Sequence, residues 1–344
     1  MPRLAADELR AATTAVFTAA GAQVQDAATV AAALVDAELC DHPSHGLIRV
    51  SEYLRHIREG AIVPGAQPEI VEDRGAALVV DGHWGFGQVV ATRATEWLIE
   101  RTRDHGSGAV AIRQCAHVGR AGAYPEMAAE RGLVALAFVS GGGAQPRLAP
   151  HGGRRPVFGT NPLAAAVPLP GSPPVVIDFS TAAVASGKIR VLRDRGETLP
   201  EGWILDAEGR PSTSPADYYA GGMLLPAAAH KGYGLCLLIE LLAGCLTGAG
   251  SVGVPDSGYR VGNGMFMQAF DIGAFMPLED FAARAVALAD TVRATPPGAG
   301  SDAVLLPGDP ERQIAAARAL DGVEVAASTW ETIVSEAAGL GVAL

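Results

Sequence analysis

Apolar residues recur at helical spacing in the first part of the chain. Leu9 and Val16 mark one amphipathic helix, Leu34 lies in a second, and Gly21 separates the two. A further helical stretch follows and is broken by a glycine and then a proline. The pattern predicts a helical cap over residues 1–75.

After this cap, strand-like and helix-like runs alternate. The strand-like runs are residues 76–82, 109–115, 133–140, 162–169, 173–180 and 265–272. The helix-like runs are residues 89–106, 123–132, 230–248 and 278–294, of which 230–248 predicts one long buried helix. Only a turn separates 162–169 from 173–180, so the sheet is expected to be mixed or antiparallel in places. The pattern predicts an α/β core over residues 76–300.

The last part, residues 301–344, is again helical. Helices are predicted near 310–320 and 329–339, and Ser328 with Glu331 forms a candidate capping box before the second of them. We expect these helices to pack back on the N-terminal part.

Composition narrows the class of protein. The 344 residues are 49% hydrophobic and 18% charged, and the net charge of -11 is spread along the chain without a basic block. A nucleic-acid partner is therefore not expected. The N-terminus lacks the pattern of a signal peptide, and no apolar run reaches the roughly 18 to 20 residues of a membrane span. These features predict a cytoplasmic protein without a membrane partner.

The spacing of the cysteines and histidines does not predict a metal site. Cys40, Cys115, Cys236 and Cys245 form no CxxC pair and are expected to be buried free thiols of a reducing compartment. His42 lies close to the next histidine in the sequence, but no acidic or cysteine partner stands at a recognised spacing, so no metal is expected.

Two segments match a dinucleotide-binding fingerprint by letters alone. They are GAGSVG, with Gly248, Gly250 and Gly253, and GSGAVA, with Gly106, Gly108 and Ala111. A Rossmann loop needs a strand before it and a helix after it, whereas each segment follows a predicted helix. We interpret both as helix ends that turn through glycines.

The segment DHPSHGLIR holds the first candidate for catalysis. It places His45 one helical turn before Arg49, so one face offers an acid/base group and a carboxylate-binding group. The hydroxyl of Ser44 could orient the histidine. The alternative is a plain turn in which Ser44 caps a helix and His45 is merely exposed, and local chemistry favours neither.

Later loops offer candidates for binding. CAHVGRAGAYPE places His117 among glycines, and HKGYG places Lys231 at a helix start, where backbone N–H groups attract anions. FGTNP and IDFSTAAVASGK are further turns rich in small and polar residues. Each also has a plain structural interpretation: a solvent-facing loop histidine, an ordinary turn, a capping Asp178 or a surface Lys188.

In their order along the chain, these motifs resemble the type-2 malate/L-lactate dehydrogenase family. The motifs are PSHGLIR, HVGRAG, PHGGRRPVFGTNP, VIDFSTAAVASGK, PEGWILDAEGRPST, HKGYGL and LLPGD. The resemblance covers nearly the whole chain, and DHPSHG and GFGQ are most similar to the hydroxycarboxylate dehydrogenases in that family. It implies an α/β fold with a non-Rossmann nicotinamide-binding domain on a largely antiparallel mixed sheet, and N- and C-terminal helices packed as a helical domain. It also implies a homodimer.

The resemblance further implies an NAD(P)-dependent exchange of a 2-hydroxy acid with its 2-oxo acid. The implied catalytic residues are His45, Ser44 and Lys188, and the implied substrate-binding residues are Arg49, Thr160, Ser186 and Gly187. The implied residues for NAD or NADP are His117, Val118, Gly119, Arg120, Ala121, Asp178, Phe179, Ser180, His230, Lys231, Leu306, Pro307, Gly308 and Asp309.

The resemblance leaves alternatives for the substrate. The family also contains ureidoglycolate, sulfolactate and piperideine-2-carboxylate enzymes. The imine-reducing branch has an aspartate where this chain has Lys188, which favours hydroxy acids over cyclic imines. A silent ligand-binding relative is the remaining alternative, and the intact Ser44, His45 and Arg49 argue against it.

Overall fold

The helices follow the predicted periodicity closely. The computed structural model describes residues 3–142, 145–252 and 261–344. Its α-helices are α1 (Ala6–Ala19), α2 (Val24–Leu39), α3 (Arg49–Arg58), α4 (Gly87–His105), α5 (Ala123–Ala129), α6 (Ser186–Asp194), α7 (Pro215–Tyr219), α8 (His230–Ile239), α9 (Leu278–Arg293), α10 (Asp309–Asp321) and α11 (Ala327–Gly339). A 3-10 turn, Pro43–His45, precedes α3, and a π-helix, Glu240–Leu246, continues α8.

A seven-stranded sheet forms the centre of the fold. The described residues form this sheet and two smaller ones, and their strands are β1 (Arg3–Leu4), β2 (Glu69–Asp73), β3 (Ala77–Gly85), β4 (Ser107–Cys115), β5 (Leu133–Gly142), β6 (Pro162–Leu169), β7 (Ser172–Ser180), β8 (Ile204–Leu205), β9 (Pro211–Ser212), β10 (Met223–Leu224), β11 (Val261–Asp271) and β12 (Val323–Glu324). The large sheet has the order β2-β3-β4-β11-β5-β6-β7. β3 and β4 run parallel and the other neighbours run antiparallel. The expected mixed, largely antiparallel sheet is confirmed.

Helices cover both faces of this sheet. On one face, α4 and α5 pack on an apolar core that includes Val80, Leu98, Ile112 and Met267. On the other face, α8 and the π-helix pack on β5 and β11, with Ile239 and Ala243 against Phe138. Apolar area is therefore buried on both faces of this sheet, which stabilises it.

The prediction of one long buried helix over 230–248 is wrong in two respects. The α-helix ends at residue 239 and a π-helix follows, and Leu238, Leu241 and Leu246 are between 43% and 61% exposed. The run is apolar on all sides, but within this chain the sheet covers only one of its faces. Periodicity cannot distinguish a helix buried all round from one with an apolar face left uncovered.

The first and last helices share one core, as predicted. β1 pairs with β12, and Phe17, Tyr53 and Ile333 lie in the same buried cluster. Arg58 forms an ion pair of 2.8 Å with Glu336 of α11. The expected helical domain built from both ends of the chain is confirmed.

The predicted capping box is wrong. Helix α11 begins at Ala327 with Ala326 as its N-cap, so Ser328 is already inside the first turn. No side chain caps that helix in the described structure. The Ser-x-x-Glu pattern gave the right element but placed its start two residues too late.

A smaller lobe carries the loops between β7 and α8. It contains α6, α7 and the three-stranded sheet β10-β8-β9, around a core that includes Leu148, Ile189 and Leu224. The lobe brings residues 186–188 back towards the helical domain.

The two fingerprint segments are helix ends, as interpreted. Gly106 follows α4 with a φ of 75°, and Gly248 and Gly250 follow the π-helix with φ of 74° and 78°. These left-handed conformations suit glycine. Gly253 lies outside the described residues.

The four cysteines are free, but they are not all buried. Cys115 and Cys236 are buried, Cys40 is half-buried, and Cys245 is exposed with its Sγ 3.2 Å from the Ser251 hydroxyl oxygen. Cys245 lies on the uncovered face of the π-helix, which explains the error.

Residues 3–142, 145–252 and 261–344 contain neither a membrane-spanning helix nor a cluster of metal ligands. No helix in these ranges is both long and apolar enough to cross a membrane. No group of three or more His, Cys, Asp or Glu side chains in them could hold a metal ion.

Candidate active site

The turn that carries His45 is fixed to α2 by a buried carboxylate. Glu38 accepts a hydrogen bond of 2.8 Å from the backbone N–H of Leu47. A Cβ at Gly46 would lie 2.3 Å from the Glu38 Oε1, so only glycine lets the two segments approach this closely. From α10, Arg318 donates to the Glu38 carbonyl and pairs with Asp41. The turn is therefore held from both terminal parts of the chain.

Ser44, His45 and Arg49 form one connected group. The Ser44 hydroxyl lies 3.0 Å from the His45 Nδ1, and the Arg49 Nε donates to the Ser44 carbonyl at 2.7 Å. Arg49 also pairs with Glu52 through Nη1 at 2.6 Å. Its Nη2 makes no hydrogen bond to any described residue, so one edge of the guanidinium is available for a carboxylate. His45 lies in the 3-10 turn rather than in the first turn of α3.

His117 lies beside His45 rather than at a separate edge. The two imidazole rings stack with centroids 5.5 Å apart and an angle of 21°. The His117 Nδ1 lies 2.7 Å from the Tyr53 hydroxyl oxygen, and that oxygen accepts a 2.8 Å hydrogen bond from the Gln88 Nε2. The ring of His117 thus belongs to the same group as Ser44 and His45.

Both histidines are neutral near pH 7. Burial and then the nearby charge of Arg49 lower the pKa of His45 to about 4. Burial, followed by the charges of Arg49 and His45, lowers the pKa of His117 well below its usual range. In this state His45 can accept a proton.

The start of α6 closes one side of this group. A Cβ at Gly187 would lie 3.9 Å from the Ser44 Cβ, so these two predicted site residues are neighbours. The Ser186 hydroxyl bonds to the Tyr218 hydroxyl at 2.7 Å. Lys188 is exposed, with its Nζ 5.8 Å from the centre of the Trp203 ring. The structure brings Ser186 and Gly187 to the site and places Lys188 at its edge.

The end of β7 connects the substrate and cofactor candidates. Asp178 accepts a 2.7 Å hydrogen bond from the Gly122 N–H, and burial raises the pKa of its carboxyl group. Phe179 is 43% exposed. The Ser180 hydroxyl donates to the Thr160 carbonyl at 3.1 Å, so the FGTNP turn is bound to the end of this strand.

The LLPGDP turn packs on the same strand. The Pro307 carbonyl accepts a hydrogen bond from Val176, and Gly308, with a φ of 93°, is the N-cap of α10. The Leu306 N–H donates to the Asp309 carboxylate at 3.0 Å. The LLPGDP turn therefore contacts β7 at Val176, and Gly122 contacts the same strand at Asp178.

The HKGYG segment follows a stretch that is hydrogen-bonded just beyond the end of β7. The Ala227 N–H donates to the Thr181 carbonyl, and α8 begins at His230. The ring of His230 lies 6.0 Å from that of His151, and Lys231 is exposed. The predicted start of a helix at HKGYG is confirmed.

A cavity of about 360 Å³ adjoins the loop after His117. α2, α4 and α5 form its walls, and Val118 and Arg120 line it. Arg120 pairs with Glu126 at 2.6 Å, with little of either side chain exposed. The loop is therefore bordered by the group of Ser44, His45 and Arg49 on one side and by this cavity on the other.

Comparisons with known proteins identify the family. The malate/L-lactate dehydrogenase family model matches residues 4–334. This chain belongs to that family. It is 38% identical to an L-lactate dehydrogenase of Cupriavidus necator, over 92% of this chain and 91% of the relative. It is 34% identical to hydroxycarboxylate dehydrogenase B of Escherichia coli K12, over 98% and 94%.

The likeness extends to solved structures. A Δ1-piperideine-2-carboxylate reductase from Pseudomonas syringae matches with a TM-score of 0.85 and 30% identity, over 98% of this chain and all of that chain. The predicted membership of the malate/L-lactate dehydrogenase family, and with it the class of hydroxy-acid dehydrogenases, is confirmed.

Sequence reasoning missed several residues around the site of this family member. Tyr53 lies in the helical stretch after His45, and Gln88 is the last residue of the GFGQ motif. Asn263 holds the loop after His117 by accepting from the Val118 N–H at 2.9 Å. Tyr218 holds Ser186, as described above. The available signal was a polar residue inside an otherwise apolar segment, as at Gln88 and Asn263.

Proposed function

We propose that this chain is an NAD(P)-dependent oxidoreductase that interconverts a 2-hydroxy acid and its 2-oxo acid, with His45 as the acid/base. One observation carries the proposal: Ser44, His45 and Arg49 form a hydrogen-bonded group against the start of α6. This arrangement offers a proton acceptor and a carboxylate-binding group one turn apart.

His45 is suited to hold the proton of the substrate hydroxyl. Its lowered pKa leaves the ring neutral near pH 7, so it can accept the proton as the hydroxy acid is oxidised. The Ser44 hydroxyl at the Nδ1 orients the ring and leaves the Nε2 for the substrate. In the reverse direction, protonated His45 donates to the oxygen of the oxo group.

Arg49 is suited to fix the substrate carboxylate. Its Nε and Nη1 are engaged by Ser44 and Glu52, which holds the guanidinium in place. A planar guanidinium binds carboxylates with defined geometry. Thr160, Ser186 and Gly187 complete the proposed substrate site, and Lys188 at its edge attracts anionic substrates or polarises the oxo group.

The loops at the end of β7 fit a nicotinamide dinucleotide. Backbone N–H groups at glycine-containing turns and at the starts of α8 and α10 suit phosphates, and the exposed Phe179 offers an apolar ring surface. NAD or NADP bound here would supply the hydride acceptor or donor. The residues proposed to bind it are His117, Val118, Gly119, Arg120, Ala121, Asp178, Phe179, Ser180, His230, Lys231, Leu306, Pro307, Gly308 and Asp309.

The substrate is proposed to be a malate-, lactate- or aryl-lactate-type acid, with ureidoglycolate and sulfolactate as related choices. Reduction of a cyclic imino acid is the second candidate, supported by the likeness to the piperideine-2-carboxylate reductase structure. The position of Lys188 favours the hydroxy acids. We further propose a cytoplasmic location and a homodimer, and the uncovered leucine face of α8 and the π-helix supports the homodimer.

The test is NADH and NADPH oxidation with a panel of oxaloacetate, pyruvate, phenylpyruvate, sulfopyruvate and piperideine-2-carboxylate. Turnover of an oxo acid supports the main proposal, and turnover of the imine alone supports the second. The variant His45→Asn should lower kcat about 10²- to 10⁴-fold while NADH binding, followed by fluorescence titration, stays unchanged. Near-normal turnover by that variant would remove His45 from this role.

A further inference from the structure

The ring of His117 has one nitrogen bound and one available. Its Nδ1 lies 2.7 Å from the Tyr53 hydroxyl oxygen, and no described residue makes a hydrogen bond to its Nε2. His45, stacked on it, has the same arrangement, with its Nδ1 on the Ser44 hydroxyl. Two imidazoles therefore lie in parallel, each held through Nδ1 by a hydroxyl group.

The direction of the hydrogen bond at Tyr53 follows from its other partner. Gln88 Nε2 can only donate, and it lies 2.8 Å from the Tyr53 hydroxyl oxygen. The proton of that hydroxyl is then free to point towards His117. The His117 carbonyl, which can only accept, lies on the same side at 3.5 Å. The Nδ1, at 2.7 Å, is nearer to the Tyr53 hydroxyl oxygen than the carbonyl is, so the hydroxyl proton is directed to the Nδ1.

The Tyr53 hydroxyl is protonated at neutral pH. Tyr53 is 1% exposed, and burial raises the pKa of its hydroxyl well above the usual range, so it keeps its proton. His117 is neutral for the reason given above, so one of its two nitrogens carries the hydrogen. If Nδ1 accepts from Tyr53, that hydrogen is on Nε2.

We infer that Gln88 and Tyr53 are positioning residues that hold His117 in the Nε2–H tautomer. His117 then presents a fixed N–H donor next to the proposed acid/base, His45. If the proposed function holds, that donor faces an oxygen of the substrate or of the cofactor. The tautomer itself does not depend on the proposed function.

The loop that carries His117 has a separate support. Asn263 accepts from the Val118 N–H and donates to the Ser140 carbonyl, each at 2.9 Å. Loss of the Tyr53 hydroxyl therefore leaves the loop backbone held. The variants Tyr53→Phe and Gln88→Met keep the buried volume while removing the hydrogen-bonding groups.

The experiment is a two-bond ¹⁵N–¹H correlation spectrum of the full chain with ¹⁵N-labelled histidine at pH 7.5. The signals of His117 are assigned by their loss in His117→Asn. The wild-type protein should show the Nε2–H pattern alone. Tyr53→Phe and Gln88→Met should both show exchange between the two tautomers, because nothing then selects one of them.

Thr95→Val is the matched control. It removes a buried hydroxyl from the same helix as Gln88, where Thr95 donates to the Ala91 carbonyl at 2.7 Å. It should leave the His117 pattern unchanged. A wild-type Nδ1–H pattern, or a single Nε2–H pattern that survives in both Tyr53→Phe and Gln88→Met, would overturn the inference.

Kinetics provide a second readout. Tyr53→Phe should lower kcat about 2- to 10-fold, which corresponds to one hydrogen bond, with KM for the oxo acid changed less. Thr95→Val should leave both values unchanged. An unchanged kcat in Tyr53→Phe would remove the positioning role. Inactivity of the wild-type protein with the whole panel would instead refute the proposed function and leave the spectra as the test of the tautomer.

Discussion

At the scale of single residues, burial and then the charge of Arg49 determine how His45 titrates. The guanidinium lies close to a ring that is already partly desolvated, and both effects disfavour the imidazolium form. The pKa is lowered to about 4 from a usual 6.5. The unfolded chain therefore binds this proton first as the pH falls, so the fold loses stability between about pH 6.5 and 4.

We predict that Arg49→Met raises the pKa of His45 towards 6.5, because the variant removes a positive charge. The measurement is a titration of the His45 ring by ¹H–¹³C NMR in the free protein, which needs no activity. Arg155→Met is the control, since Arg155 is exposed and has no ion pair with any described residue. An Arg49→Met midpoint equal to that of the wild type would show that burial alone lowers the pKa.

The candidate site residues that could be predicted from the sequence are those that lie together in one short motif. Ser44, His45 and Arg49 stand within six positions, and their chemistry is visible in the letters. Tyr53 reaches His117 from 64 positions away, and Gln88 reaches Tyr53 from 35 positions away. A tyrosine on an apolar helix face gives no sign of its hydroxyl partner. Contacts of this kind depend on tertiary packing, which no local pattern encodes.

At the scale of elements, the start of α8 depends on one close approach. A Cβ at Gly232 would lie 2.0 Å from the Ala227 carbonyl oxygen, whereas nothing lies within 4 Å of a Cβ at Gly234. The turn before the helix folds back over its first residues, with Ala228 and Ala229 at positive φ. Gly232 is therefore required by space and Gly234 is not.

We predict opposite effects for two alanine substitutions in this helix. Gly232→Ala should lower the free energy of unfolding by roughly 1 to 3 kcal/mol, because the backbone must move to accept the methyl group. Gly234→Ala should raise it by about 0.5 to 1 kcal/mol, since alanine loses less entropy in a helix. Urea unfolding followed by circular dichroism at one protein concentration measures both. Equal effects of the two substitutions would contradict the conclusion that Gly232 is required by space and Gly234 is not.

Helices and strands were predictable here, and their ends were less so. The periodicity of residues 5–40 gave α1 and α2 because one apolar face recurs along each helix. The start of α11 was misplaced because Ser328 and Glu331 suit a capping box but also suit the first turn of a helix. The π-helix was not predicted because its sequence, ELLAGCL, is as apolar as an ordinary helix.

At the scale of the whole molecule, the order of the strands in the sheet could not be predicted from the sequence. β11 comes last among the seven strands along the chain yet lies in the middle of the sheet, between β4 and β5. Local patterns give strands and turns, but they do not say which distant strand inserts between two neighbours. The resemblance to a family supplied the non-Rossmann sheet that periodicity could not.

The uncovered leucine face is a candidate interface between two copies of the chain. Leu238, Leu241 and Leu246 are exposed on α8 and the π-helix, where several adjacent leucines would form an apolar patch in water. If this face joins two copies, Leu241→Glu places a charge in the interface and should shift the mass measured by light scattering from twice the chain mass of 35.2 kDa to once that mass. Leu320→Glu is the control, because Leu320 is 89% exposed on α10. A wild-type protein of single chain mass, or a dimer that survives Leu241→Glu, would show that this face does not join two copies.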